Sequence, residues 1–141
     1  MKNIEIKKRR RGTAIVETSK GILVTSGSSK IFILPGGGAN KRETRLVAAI
    51  RELKEETGLM ANYSKVLFRY VGRIHKSHLG GFFQDHHTVC LIKADGVAKP
   101  KNEIRYVAYY HPRSDIRISK ITKEIIDKFF EYKKEHSEYN Q

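Results

Sequence analysis

Residues 31–59 read IFILPGGGANKRETRLVAAIRELKEETGL. An apolar run, a proline and three glycines lead directly into an acidic amphipathic stretch, and this order limits the fold more than any other feature. Four apolar residues closed by Pro35 suit a strand over 31–34, and Pro35-Gly36-Gly37-Gly38 then opens a loop. Leu46, Val47, Ile50 and Leu53 recur on one stripe and predict a helix over 44–57. Ala48 and Ala49 favour that helix by propensity, and Gly58 suits the left-handed position that ends it.

The flanking pattern is that of an α/β chain. Short apolar runs at 14–16 and 22–24, separated by turn residues, predict strands. Residues 65–74 and 82–94 predict a long strand pair joined by a hairpin turn at Leu79-Gly80-Gly81. A further strand is expected over 104–110. A helix is expected over 121–135 on the stripe Ile121, Ile125, Phe129 and Tyr132, widened by Ile126 and Phe130. From His136 the tail is expected to fray. With 141 residues and no linker or repeat, the chain is expected to form one domain over 1–141, a mixed β-sheet with helices packed against it.

Composition narrows the function classes. Apolar residues make up 39% of the chain and charged residues 30%, which argues against wholesale disorder. No apolar run approaches the length of a membrane-spanning helix, and the first residues lack the apolar stretch of a signal peptide. The lone Cys90 has no intramolecular disulfide partner, so a reducing, cytoplasmic location is expected. With 28 Lys and Arg against 15 Asp and Glu, the net charge of +13 attracts polyanions: nucleic acid, anionic lipid or small phosphorylated ligands.

Glu52 stands three residues before Glu55 and four before Glu56, so on a helix all three share a face. Like charges at these spacings repel and need cations. One reading is a solvated face on which Arg51 pairs with Glu55. The other is a hard divalent cation, which takes carboxylate, carbonyl and water oxygens and commonly bridges them to phosphates. The preceding glycines favour the second, because they permit close backbone approach to a cation or a phosphate.

At every defined position this segment resembles the Nudix box, G-x5-E-x7-R-E-U-x-E-E-x-G-U with U aliphatic: Gly37, Glu43, Arg51, Glu52, Leu53, Glu55, Glu56, Gly58 and Leu59. Ordinary residue frequencies make such a match a chance event on the order of 10⁻⁹ per start point. The resemblance implies an α/β/α sandwich and hydrolysis of a pyrophosphate joined to a nucleoside or another moiety, dependent on Mg²⁺ or Mn²⁺. It implies that Glu52, Glu55 and Glu56 hold the metal, with Glu52 the first choice for the base, although some relatives take the base from a later loop. The carbonyl of Gly36 is expected to complete the coordination. Arg51 is expected to orient the glutamates through ion pairs, and Glu43 to be structural. Relatives often add a downstream carboxylate, for which Glu103 is the candidate and Asp85 the runner-up.

Lys7 to Arg11 (KKRRR) admits three readings: a nucleic-acid patch, a solvated strand edge or mobile arm, and a basic wall beside a phosphate chain that includes Arg11. Lys41 and Arg42 stand where many Nudix boxes carry Gly-Glu; they make the loop mouth more positive and are expected to meet substrate. His86 and His87 alternate faces, and one histidine is a candidate lining residue of the cleft. Cys90 is expected in the core. Tyr106, Tyr109 and Tyr110 are expected to pack rather than to stack a base.

The box marks a reaction class rather than a substrate. Ile74, His75 and Lys76 stand where ADP-ribose hydrolases carry a proline. The triple glycine and the basic residues resemble diphosphoinositol-polyphosphate hydrolases. A nucleoside triphosphate or related nucleotide is favoured. The alternatives are diphosphoinositol polyphosphates, RNA 5′ ends, or a non-catalytic basic module binding RNA or protein. Many relatives are dimers, so a homodimer stays open.

Overall fold

A computed structural model describes residues 5–136. Seven strands and two helices follow in the order β1 (Ile6–Ile15), β2 (Glu17–Thr18), β3 (Gly21–Ser26), β4 (Gly36–Gly38), α1 (Arg45–Thr57), β5 (Met60–Lys76), β6 (Phe82–Asp95), β7 (Tyr106–Tyr110) and α2 (Lys120–Glu135). Four strands form a mixed sheet in the order β4-β1-β6-β5, in which β1 and β6 run parallel and the other pairs antiparallel. The other three form an antiparallel sheet, β2-β3-β7.

Strand alternation divides the core into two layers. Ala14, Val16, Leu23, Cys90 and Ile92 pack with Ala49 and Leu53 of α1. Their neighbours Ile15, Ile22, Val24, Val89 and Leu91 pack with Ile125, Ile126 and Phe129 of α2. The result is the expected α/β/α sandwich. Cys90 lies in the core as expected, and burial pushes its thiol up to about 12.

Both helices form where the periodicity places them, and both begin on a hydroxyl cap. Thr44 accepts the Val47 N–H at 3.1 Å, and Ser119 accepts the Thr122 N–H at 3.2 Å. Gly58 ends α1 at φ +78, its N–H donating to the Lys54 carbonyl. The hairpin turn lies where expected, with Gly80 and Gly81 at positive φ. The expected fraying beyond His136 lies outside the described residues.

Three expectations are corrected. Residues 31–34 form no strand: Phe32 and Ile33 make isolated bridges to Ile118 and Thr25, and Ile31 and Ile33 stay exposed. Instead Gly36–Gly38, expected as loop, pairs with β1. The reason is space, since a Cβ on Gly36, whose φ is +147, would lie 2.2 Å from the Gly12 carbonyl oxygen. Val47, expected on the buried stripe, is 49% exposed, while Ala48 and Ala49 are fully buried. The helix lies so close to β1 that a Cβ on Gly12 would meet the Arg45 carbonyl oxygen at 2.0 Å and the Ala49 nitrogen at 2.6 Å. Only small side chains fit that contact. Of the readings open for Lys7 to Arg11, strand edge or mobile arm among them, the strand holds: the run is part of β1, in register with residues 83–87 of β6.

Candidate active site

The acidic face of α1 lies against the glycine strand. A Cβ on Gly37 would stand 2.7 Å from the Glu52 Cδ and 2.9 Å from its Oε2, so the carboxylate occupies space that only glycine leaves open. One residue earlier, the Gly36 N–H donates to Glu56 Oε1 at 3.1 Å. The predicted loop is therefore a strand whose backbone meets two of the box carboxylates.

Arg51 holds the rest together. Its Nε donates to Glu43 at 2.7 Å, and its Nη1 donates to Glu52 at 2.8 Å and to Glu55 at 3.2 Å. Its Nη2 donates to Glu43 again at 2.9 Å and to the Gly38 carbonyl at 3.1 Å. One guanidinium fork thus joins three carboxylates to the glycine strand. The bond from Arg51, reinforced by the Asn40 N–H, holds the Glu43 carboxyl down to about 2. Arg51 is in turn raised, chiefly by Glu43.

Glu56 behaves differently. Burial pushes its carboxyl up to about 7; the Gly36 N–H opposes this, the charge of Glu52 adds to it, Arg11 opposes it and Glu103 adds to it. Glu103 reaches this position because its loop is fastened to the end of α1. The Lys99 N–H donates to the Thr57 carbonyl, the Lys101 N–H to the Glu56 carbonyl and the Asn102 side chain to the Glu55 carbonyl. Asp85, the runner-up, is committed elsewhere, in a bidentate pair with Arg9 at 2.6 and 3.1 Å.

Among the described residues, no three His, Cys, Asp or Glu side chains converge on a common metal-binding point. The reason is visible in the pairing: Arg51 draws Glu52 and Glu55 to itself while Glu56 turns to Gly36. The donor chemistry still fits a hard divalent cation. Glu52 and Glu56 are carboxylates set beside a glycine cradle that any side chain would fill, and the repulsion that Glu52 and Glu103 exert on Glu56 is of the kind a divalent cation relieves.

Beyond Gly36 lies a cavity of about 140 Å³ between β1 and α2, lined by Arg11, Thr13, Ile33, Leu34, Gly36, His87, Ser119, Ile121, Thr122 and Ile125. Arg11, expected at the phosphate chain, stands on its wall. His87 is the histidine that lines it, and Thr13 Oγ1 lies 2.8 Å from its Nδ1. Burial first, then Arg11, pulls His87 down to about 4, so the ring is neutral at physiological pH. Sequence reading passed over Thr13 and Ser119. The signal was there for Thr13, which stands two residues from Arg11 on the same strand face. Lys41 and Arg42 lie exposed in the turn before α1 and make no hydrogen bond or ion pair among the described residues. Tyr109 and Tyr110 pack at the margins of the two cores as expected, while Tyr106 is 41% exposed with the Lys30 ammonium over its ring.

A glycine strand laid on an arginine-clamped acidic helix, inside an α/β/α sandwich, is the arrangement that the box resemblance implies. The chain belongs to the Nudix family: the NUDIX domain family model matches residues 7–131. It is a hydrolase of pyrophosphate bonds. A protein assigned to this family from Chromobacterium violaceum is 36% identical, with 91% of this chain and 80% of that chain covered at a TM-score of 0.73. A UDP-X diphosphatase shares the fold at 20% identity, 95% and 66% coverage and a TM-score of 0.73. So does a bifunctional NMN adenylyltransferase/ADP ribose pyrophosphatase from Francisella tularensis, crystallised with AMP and Mn ion, at 20% identity, 90% and 42% coverage and a TM-score of 0.65. No curated protein matches the chain at a significant level. Among the described residues no helix is long and apolar enough to cross a membrane.

Proposed function

We propose that this protein hydrolyses a nucleoside diphosphate linked to a further moiety, with a nucleoside triphosphate or related nucleotide as the favoured substrate and Mg²⁺ or Mn²⁺ as cofactor. The observation that carries this reading is the contact of Gly36 and Gly37 with the carboxylates of Glu56 and Glu52. Glu52, Glu55, Glu56 and the Gly36 carbonyl hold the cation, joined by Glu103. When bound, a divalent cation neutralises phosphate oxygens and acidifies water.

Each residue then has a task. Glu52 accepts the proton of the attacking water. Arg51 is a positioning residue that sets the angles of Glu52 and Glu55 and ties them to Glu43. Arg11 faces the phosphate chain, and Lys41 and Arg42 add positive charge at the mouth. The cavity beside Gly36 supports a nucleotide: Ile33, Leu34, Ile121 and Ile125 with a neutral His87 offer a place for a base, and Arg11 on the same wall offers a charge for phosphate. The names of the UDP-X diphosphatase and the ADP ribose pyrophosphatase agree with that substrate class. The reading places the protein in the cytoplasm.

The test is turnover on a panel of nucleotides, diphosphoinositol polyphosphates and triphosphorylated RNA in Mg²⁺, read as released phosphate or pyrophosphate. Activity is expected on a nucleotide, with a loss of at least about 100-fold in Glu52→Gln and Glu56→Gln. An inert wild type that still binds RNA overturns the enzymatic assignment in favour of a binding module.

A further inference from the structure

The KKRRR run is split by strand alternation between two faces of the sheet. Arg9 and Arg11 lie on the α2 side, where Arg9 pairs with Asp85 and Arg11 lines the cavity. Arg10 shares the opposite face with Gly12 and Ala14, beside the first turn of α1. There it meets Arg45, from that turn, and Arg69, which stands opposite Thr88 in the β5–β6 register. With Thr44, Val66 and Thr88, these three arginines line an open groove of about 390 Å³.

We infer that Arg10, Arg45 and Arg69 form a second phosphate-binding site, separate from the box carboxylates. Among the described residues the three guanidinium groups have no anionic hydrogen-bond or salt-bridge partner. Arg10 donates only to the carbonyls of Asn40 and Glu43, at 3.4 and 2.8 Å, and Arg45 donates to Thr88 Oγ1 at 3.4 Å. The Arg69 guanidinium makes no hydrogen bond or ion pair among the described residues. The Glu43 carboxylate, which feels the charge of Arg10, is committed to Arg51.

Burial, then Arg10 and Arg69, pull Arg45 below its ordinary value, the mark of cations gathered without a counterion. The end of the helix is not the attractor, because the Thr44 hydroxyl already caps it. What remains is three guanidinium forks facing one space, a geometry that matches the oxygens of a phosphate better than a point charge does. Arg45 precedes Glu52 by seven residues, roughly 10 Å along the helix, so one ligand atom cannot serve both sites.

The probe is sodium tripolyphosphate, titrated into metal-stripped full-length protein by calorimetry and by ¹H–¹⁵N NMR; a single-stranded DNA 15-mer is the second arm. Without divalent metal the carboxylates repel both anions. Saturable binding is expected, with the largest shifts at Arg45, Arg69 and Thr88. Arg69→Ala is expected to weaken it at least 10-fold, whereas Glu52→Gln and the charge-matched Arg113→Ala change it less than 2-fold. The arm that binds more tightly tells whether free polyphosphate or a phosphodiester backbone is the better source of the phosphate. Failure of both probes to bind, an equal loss in Arg113→Ala, or shifts centred on Gly37 and Arg11 each overturn the site. Wild-type shift mapping decides the matter even if a variant is poorly folded. Loss of hydrolysis in the nucleotide panel leaves this binding untouched, so the two assignments fail separately.

Discussion

Glu52 and Glu56 lie four residues apart on α1, yet their surroundings drive them apart chemically. Glu52 is tied to a guanidinium, while Glu56 is half-buried and accepts from the Gly36 backbone N–H. The raised Glu56 value has a defined sign. An acid whose folded value exceeds its unfolded value near 4.5 adds stability that is present below 4.5 and is lost as pH rises through about 7. Wild-type protein without metal is therefore expected to lose stability relative to Glu56→Gln between pH 4.5 and 7. The difference reaches up to about 3 kcal/mol, since each pKa unit is worth about 1.4 kcal/mol; urea denaturation of both proteins across that range measures it. Taking the difference removes His87, whose lowered value works the other way, costing stability as pH falls from 6.5 to about 4. A constant wild-type-to-variant gap across the window contradicts the assigned environment. The residue scale was partly legible in advance: spacing put the three glutamates on one face, but whether each meets a cation, an N–H or solvent depends on strands far away in sequence.

At the scale of elements, α1 and β1 are held at backbone contact by a glycine that belongs to neither the box nor the helix. Gly12→Ala puts a methyl where the Arg45 carbonyl already stands, and overpacking of this kind costs about 1–3 kcal/mol or more. Because the same shift moves α1 relative to Gly36 and Gly37, Gly12→Ala is expected to lower both melting temperature and turnover. Thermal denaturation with nucleotide turnover checks both, and full activity in a destabilised variant argues that the helix position is not coupled to the site. Helix limits were readable because capping and periodicity are local. The 31–38 segment was not. Its apolar residues read as a strand and its glycines as a loop, yet the glycines took the ladder beside β1, where the nearby Gly12 carbonyl leaves no room for a side chain at Gly36.

At the scale of the whole molecule, the two apolar layers share the same strands, so neither can melt alone: Val89 and Leu91 serve α2 while Cys90 and Ile92 serve α1. Phe129, fully buried in the α2 layer, is the largest core side chain. Phe129→Ala is expected to cost about 3–5 kcal/mol in a single cooperative transition, while leaving divalent-cation affinity, measured by calorimetry on the folded protein, within about 2-fold. A biphasic melt argues against a shared core.

The sequence by itself determined the family, the two helices, the long hairpin and the acidic face, because each is written in residues close together along the chain and needs only helical or strand geometry to read. Tertiary structure decided what those residues meet. It placed Gly36–Gly38 as a strand under the carboxylates, carried Glu103 to the end of α1 on a bonded loop, and turned alternate arginines of one basic run toward opposite faces. Those outcomes depend on pairings across tens of residues, where steric fit and strand register, rather than local propensity, select the partner.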